Sequence, residues 1–218
     1  TGSSGGAIYS IGSSGCSFTV SDSTFINTSS QYYGGAIYAD DGIVDVFGSS
    51  FTNITAGSQA GAICNMCRSV TVINSTFYNT KSHHCGAIQG GSVTVTNSSF
   101  INTLGNYSCG AIMSTNCTVI NSTFINTTEG FEGGAISSDN VNVIGSSFIN
   151  ITAGEWGGAI CSFGGDTTVT NSTFINNTAQ LGSAIFIYYG YLNLSNSKFI
   201  EDVNTGEEII YVTGSNIT

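Results

Sequence analysis

The tripeptide Gly-Ala-Ile returns along the chain at Gly6, Gly35, Gly61, Gly86, Gly110, Gly134 and Gly158, and Ser183-Ala184-Ile185 follows as a variant copy. Successive copies lie 24 to 29 residues apart. A second marker keeps step with the first: Phe25, Phe51, Phe77, Phe100, Phe124, Phe148, Phe174 and Phe199. Each Phe has a Ser two places before it, and all but the last have an Asn two places after it; Glu201 stands there in the final copy. Between the markers runs an alternating segment, as in Val44/Val46, Val70/Val72, Val93/Val95, Val141/Val143 and Leu192/Leu194. Each repeat therefore reads as three short strands separated by Gly, Asn, Asp or Ser, with no helical periodicity anywhere. A horseshoe needs a helix per unit and a propeller blade needs four strands, so neither fits about 25 residues of this pattern.

What does fit is a coil that returns above itself with like residues in register. The expected fold is all-β: a right-handed parallel β-helix with three strands per coil and about eight coils of 24–26 residues, spanning residues 1–218 as one segment of a longer solenoid. At about 4.8 Å per rung the rod is roughly 40 Å long. Residues 207–212 read as the start of a ninth coil, with Ile210 in the Ile column, and neither end carries a polar cap. Further coils, or neighbouring molecules, are expected to cover those edges.

Side-chain parity predicts what faces inward. The Ile column, including Ile88, Ile112 and Ile136, and the Phe column, including Phe77, Phe100, Phe124 and Phe148, are expected to stack inside. The Ser and Asn columns share the parity of Phe, so Asn102, Asn126 and Asn150 are read as internal hydrogen-bonded ladders. An unpaired buried amide costs about 1–3 kcal/mol, so such a ladder persists only if satisfied. The position after each Ile varies from Tyr9 and Tyr38 through Cys64, Gln89, Met113, Ser137 and Cys161 to Phe186, which reads as outward facing. Ala shares that outward parity and is read as held small by the glycine corner.

Only 7% of residues are charged, against 40% apolar, so Ser, Thr and Asn must wet the surface. Thirteen acidic residues against 3 basic ones give a net charge of −10, which argues against nucleic acid and against anionic surfaces. No stretch is long and apolar enough to span a bilayer, so no membrane insertion is expected in this segment.

Gly-Gly-Ala-Ile, as at Gly133-Gly134-Ala135-Ile136, paired with Phe174-Ile175-Asn176-Asn177-Thr178-Ala179, resembles the repeats of surface β-helix proteins. Two families share the pattern: the chlamydial polymorphic outer-membrane proteins and the adhesin-like β-helix proteins of methanogenic archaea. The chlamydial pattern has Asn three places after Phe, as at Asn177. The resemblance implies a secreted or surface-anchored passenger, acting in adhesion or as a stalk, without catalytic residues.

Seven cysteines suggest an oxidising compartment. Cys85 and Cys109 lie two places before their Ala on adjacent coils, about 5 Å apart if stacked, which predicts a disulfide. Cys117 takes an inward Val position and reads as a buried thiol. Cys64 and Cys67 read as a local disulfide or free thiols, because a zinc site needs a second pair. Cys16 and Cys161 have no evident partner. No metal and no cofactor are expected.

Asn-x-Ser/Thr sequons are numerous. Asn74, Asn97, Asn121 and Asn171, at the corner before the Ser column, and Asn106 in a loop are expected to face out and carry glycans in a eukaryotic source. Asn27, Asn53, Asn126, Asn150 and Asn176 are expected to point inward, where a glycan does not fit.

Glycoside hydrolysis needs paired carboxylates about 5–9 Å apart, and the acids here are scattered along the columns, so the chain is not expected to be an enzyme. A carbohydrate-active β-helix enzyme, lyase or hydrolase, is the alternative that flanking coils could supply. Thr19, Thr71, Thr94, Thr118 and Thr168 form a partial outward ladder of the kind ice- or surface-binding solenoids use, interrupted by Asp45, Asn142 and Asn193. Tyr33, Tyr107, Phe131 and Trp156 precede the Gly-Ala corner as apolar tips on one edge, read either as packing over loop backbone or as contacts for a partner chain or glycans. The expected role is a structural or adhesive extracellular rod at the cell surface or in a filament. Its expected partners are surface glycans or other copies of itself, end to end or side by side.

Overall fold

The computed structural model describes residues 2–11, 17–200 and 208–214, so Cys16, Glu201, Glu207 and a further sequon at Asn216 lie outside the described residues. The chain is an all-β solenoid of about eight turns, with every strand pairing parallel to its equivalents in the coils above and below. Two sheets run the length of the rod, one of 11 strands and one of 13 among the described residues. The smaller carries the Ser-x-Phe strands, as in Thr123–Ile125 and Ser147–Ile149. The larger carries both the Gly-Ala-Ile and the Val-x-Val segments.

In the middle of the rod those two segments are one strand. Ile63–Ile73, Ile88–Thr96, Ile112–Ile120 and Ile136–Ile144 each run unbroken through nine to eleven residues. Elsewhere they are separate, as in Ile37–Ala39 with Val44–Phe47 and Ile160–Phe163 with Asp166–Thr170. The difference is local. Gly42 and Gly164 sit at φ 93 and 88, and Tyr189 at φ 56, which bends the chain out of the sheet; the central coils have no such residue there.

Register is kept at every rung. Ile88 pairs with Ile63 and Ile112, and Phe100 with Phe77 and Phe124. Phe51, Phe77, Phe100, Phe124, Phe148 and Phe174 are wholly buried, and their rings stack with centroids 4.6–5.0 Å apart and planes within 10° from Phe25 to Phe199. Isolated aromatic pairs favour offset or edge-on contact, so it is the rung spacing that holds these rings face to face. The Ile column packs opposite, and Ile210 extends it to the strand Ile210–Thr213.

The Ser column forms an internal ladder. In each rung the Ser hydroxyl donates to the carbonyl two residues back and accepts from the Ser backbone N–H of the preceding coil, as Ser122 does with Ile120 and Ser98. The same pair of bonds repeats from Ser49 to Ser172.

Three parity expectations are corrected. First, the Asn column forms a ladder, but outside the core: Asn102, Asn126 and Asn150 are exposed. Each adopts a left-handed backbone, φ 54, 52 and 55, as do Asn27, Asn53, Asn79 and Asn176. A left-handed residue is not part of a pleat, so alternation stops there and the following residue turns inward. Thr80, Thr103, Thr127, Ile151 and Asn177 occupy that buried place. Asn177 shows its use: its Oδ1 accepts from Ile151 N at 3.1 Å and its Nδ2 donates to Phe148 O at 3.3 Å.

Second, the Ala column belongs to the core, with Ala87, Ala111 and Ala135 fully buried. Ala87 N and Ile88 N both donate to Ala111 O, at 3.1 and 2.9 Å, which two consecutive residues of a flat strand cannot do. A Cβ on the preceding Gly86 would stand 2.0 Å from Gly110 O, which is why this corner needs glycine. Third, Cys64, Ser137, Cys161 and Phe186, expected outside, are buried. Phe186 is covered by Trp156, which precedes the Gly157 corner and lies on its ring at 5.6 Å.

Candidate functional site

The loop between the Asn ladder and the glycine corner builds one long edge of the rod. On it Tyr107 stacks on Phe131 at 5.9 Å, Phe131 meets Trp156 edge-on at 5.2 Å, and Trp156 lies on Phe186 at 5.6 Å, which stacks on Tyr211 at 5.4 Å. His83 and His84 extend this ribbon from Tyr107 at 6.2 and 5.6 Å. Tyr33 stands apart from it, in a second group with Tyr38, at 5.7 Å, and Tyr9. Gln59, the residue paired to Tyr33, interrupts the column. Thus three of the four expected tips come together. Phe186 and Tyr211 were missed because they belong to the position after Ile, a different sequence column that this edge folds over.

Near the last coils the ribbon opens into a groove of about 430 Å³ lined by Trp156, Phe163, Leu181, Phe186, Tyr188 and Tyr211. Such a surface can take apolar side chains or the C–H faces of sugars.

Acids lie under the same edge. Glu129 is buried at 3% exposure, and its Oε2 accepts the Phe131 N–H while Oε1 has no hydrogen-bond partner. Burial pushes its carboxyl up to about 7, against the opposing pull of the Phe131, Glu132 and Gly154 N–H groups. Glu132 is also raised, by burial and by the charge of Glu155. Cys161, beneath them, is held far above the usual thiol range by burial and by both Glu132 and Glu129.

Cys85 and Cys109 are adjacent-coil partners, fully buried, with Sγ atoms 3.5 Å apart as free thiols. Burial raises Cys109. Cys64 and Cys67 are free as well; the Cys64 thiol lies 3.6 Å from Met66 Sδ and burial pushes it up to about 12. Cys117 is a buried thiol, also raised to about 12 by burial.

Two outward surfaces complete the inventory. Thr71, Thr94 and Thr118 are in register on the larger sheet, continuing as Asn142, Thr168 and Asn193 in one direction and Asp45 and Thr19 in the other. Asn74, Asn97, Asn121 and Asn171 are exposed left-handed corner residues, φ 49–52, and Asn106 is exposed in its loop.

Residues 145–162 match the Chlamydia polymorphic membrane protein repeat. The matched stretch runs from the Gly145 corner through Ser147–Ile149 and Asn150 to the Gly157 corner and into Ile160–Phe163, most of one coil. This chain is a β-helix protein with repeats like those of the polymorphic membrane proteins. No curated protein and no solved structure matches it. In the polymorphic-membrane-protein-like coil, the motif glycines and alanine are the backbone-to-backbone corner described above. In that coil the inward position three after Phe148 is the buried Ile151, the place that Asn177 fills one coil on.

Proposed function

We propose that this chain is a surface-displayed rod that holds an aromatic edge away from the cell for adhesion, or serves as a structural stalk. The observation that carries the reading is the unbroken register from Phe25 to Phe199. A stack of that regularity gives stiffness along the axis, since each rung is hydrogen-bonded to its neighbours and the Phe and Ile columns each stack like on like. The match to a membrane-protein repeat supports a surface location. The groove beside Trp156 and the exposed Tyr107 and Tyr188 supply apolar contact area in a chain with few charges.

Protease shaving and antibody labelling of intact cells test the location: cleavage and labelling without permeabilisation are expected, and protection of the chain would overturn the reading. Beads coated with the protein test adhesion. Binding to cells or immobilised glycans is expected to fall when Tyr107 and Tyr188 become Ser, while circular dichroism is unchanged. The register of Thr71, Thr94 and Thr118 favours a second reading, a module for a flat ordered surface such as ice. Thr94→Tyr would abolish that activity and leave bead adhesion intact.

A further inference from the structure

The strand Thr123–Ile125 is bracketed by Asn121 and Asn126, both exposed and both left-handed. The arrangement recurs up the rod, so one narrow face is flanked by an asparagine row on one side and, on the other, by a corner row of asparagines interrupted by Asp22, Gly48 and Gly145. Between them each strand turns two residues outward, a Ser or Thr before the Phe and a mostly apolar residue after it: Ile101, Ile125, Ile149 and Ile175 are partly exposed, and Ile26 and Tyr78 are 57% and 39% exposed. A sugar row beside this column would shield its apolar side chains from water.

The asparagine row is chemically able to carry one. Asn126 Nδ2 donates to Asn102 Oδ1 at 3.2 Å, Asn150 to Asn126 at 3.2 Å and Asn176 to Asn150 at 3.0 Å. A primary amide has two N–H groups, and the ladder uses one of them. Asn27, Asn53, Asn126, Asn150 and Asn176 are followed two places on by Ser29, Thr55, Thr128, Thr152 and Thr178; Asn79 and Asn102 are followed by Lys81 and Leu104.

We propose that this outer asparagine ladder is an N-glycan acceptor row, at Asn27, Asn53, Asn126, Asn150 and Asn176, whose sugars cover the isoleucine stripe. The donor is a lipid-diphosphate-linked oligosaccharide. The amide nitrogen bonds to the anomeric carbon as the bond from that carbon to the diphosphate oxygen breaks. The lipid diphosphate leaves, and one amide proton passes to a base of the transferase. The secondary amide formed keeps the N–H anti to its carbonyl, the one stacked amides share, so the sugar departs from the ladder's free side and the rungs stay bonded. Rungs are only about 4.8 Å apart, so neighbouring sites compete and occupancy is partial. The proposal rests on the surface location proposed above, because a lipid-linked donor reaches only an exported chain; protease shaving of intact cells tests that location separately, so absent sugar on a shaved chain counts against the proposal alone.

The test is peptide mapping of the protein purified from its own cells, deglycosylated enzymatically in ¹⁸O water, which marks each formerly modified Asn as labelled Asp. Label is expected at Asn126, Asn150 and Asn176, with none at Asn79 and Asn102. Label confined to Asn106 and the Asn74, Asn97, Asn121 and Asn171 corners, or no label at all, would overturn it.

Discussion

At Asn102 the backbone conformation and the side chain serve different ends, and a substitution can separate them. A residue with a Cβ at φ 54 is strained by about 1–2 kcal/mol unless its side chain bonds locally. Asn102→Gly removes the amide rungs to Asn79 and Asn126 but keeps the left-handed corner, whereas Asn102→Ala loses both. Chemical denaturation is expected to show Asn102→Ala less stable than Asn102→Gly by about 1 kcal/mol; equal values would mean that the corner is not strained. The next residue makes the opposite case. Thr103 is buried with its hydroxyl unpartnered, so Thr103→Val is expected to raise stability by about 1 kcal/mol, read as a higher midpoint in the same titration. The sequence announced both columns by their spacing but misplaced the first. Parity counting assumes continuous pleating, and nothing in Phe-x-Asn-Thr alone says that the Asn is left-handed. The signal that could have shown it is the alternation of Asn with Gly at the other corner, Asn121 to Gly145, since those residue types share tolerance of positive φ.

Strands and loops were legible to different degrees. The Ser-x-Phe and Val-x-Val elements followed from period-two alternation, while the joining of Ile88–Thr96 into one strand depended on the absence of a bending residue. The aromatic edge was half legible, because its members come from two columns brought together by a loop that folds over the sheet. Two tests belong at this scale. Joining Cys85 to Cys109 by mild oxidation needs the sulfurs to close from 3.5 Å to bonding distance, and would cross-link adjacent coils. An intact mass lower by two hydrogens is expected, with a stabilisation of about 3 kcal/mol that Cys109→Ser abolishes. The loop carrying Glu129 gives a pH test. Its carboxyl titrates near 4.5 when unfolded and about 7 when folded, so the folded chain holds the proton more tightly. The resulting stabilisation is complete below 4.5 and disappears as pH rises through about 7. Glu132 adds in the same direction. Melting temperature is therefore expected to fall between these pH values, and Glu129→Gln to flatten the fall; an unchanged slope in that variant would assign it elsewhere.

On the scale of the whole rod, each coil touches only the coils above and below it, so stability is a sum over rungs and their interfaces rather than a property of one closed core. That permits a coil to be removed if the columns stay aligned. Excising residues 122–145 joins Asn121 to Ser146, so the Ser ladder continues from Ser98 to Ser146 and Phe100 stacks on Phe148 in place of Phe124. The shortened chain is expected to keep its β circular dichroism and cooperative melting. Its denaturant dependence should decrease by about the one coil lost, since the slope follows the surface exposed on unfolding. Excising only residues 122–133 removes about the same kind of surface but sets Gly134 where Ser122 belongs. Ile136 then falls in the place of Phe124 on the Phe column, and every rung above is out of phase. That variant is expected to aggregate or unfold. If the half-coil and whole-coil deletions behave alike, the columns do not determine the fold; if only the whole-coil deletion folds, register between identical side chains is what holds the rod together.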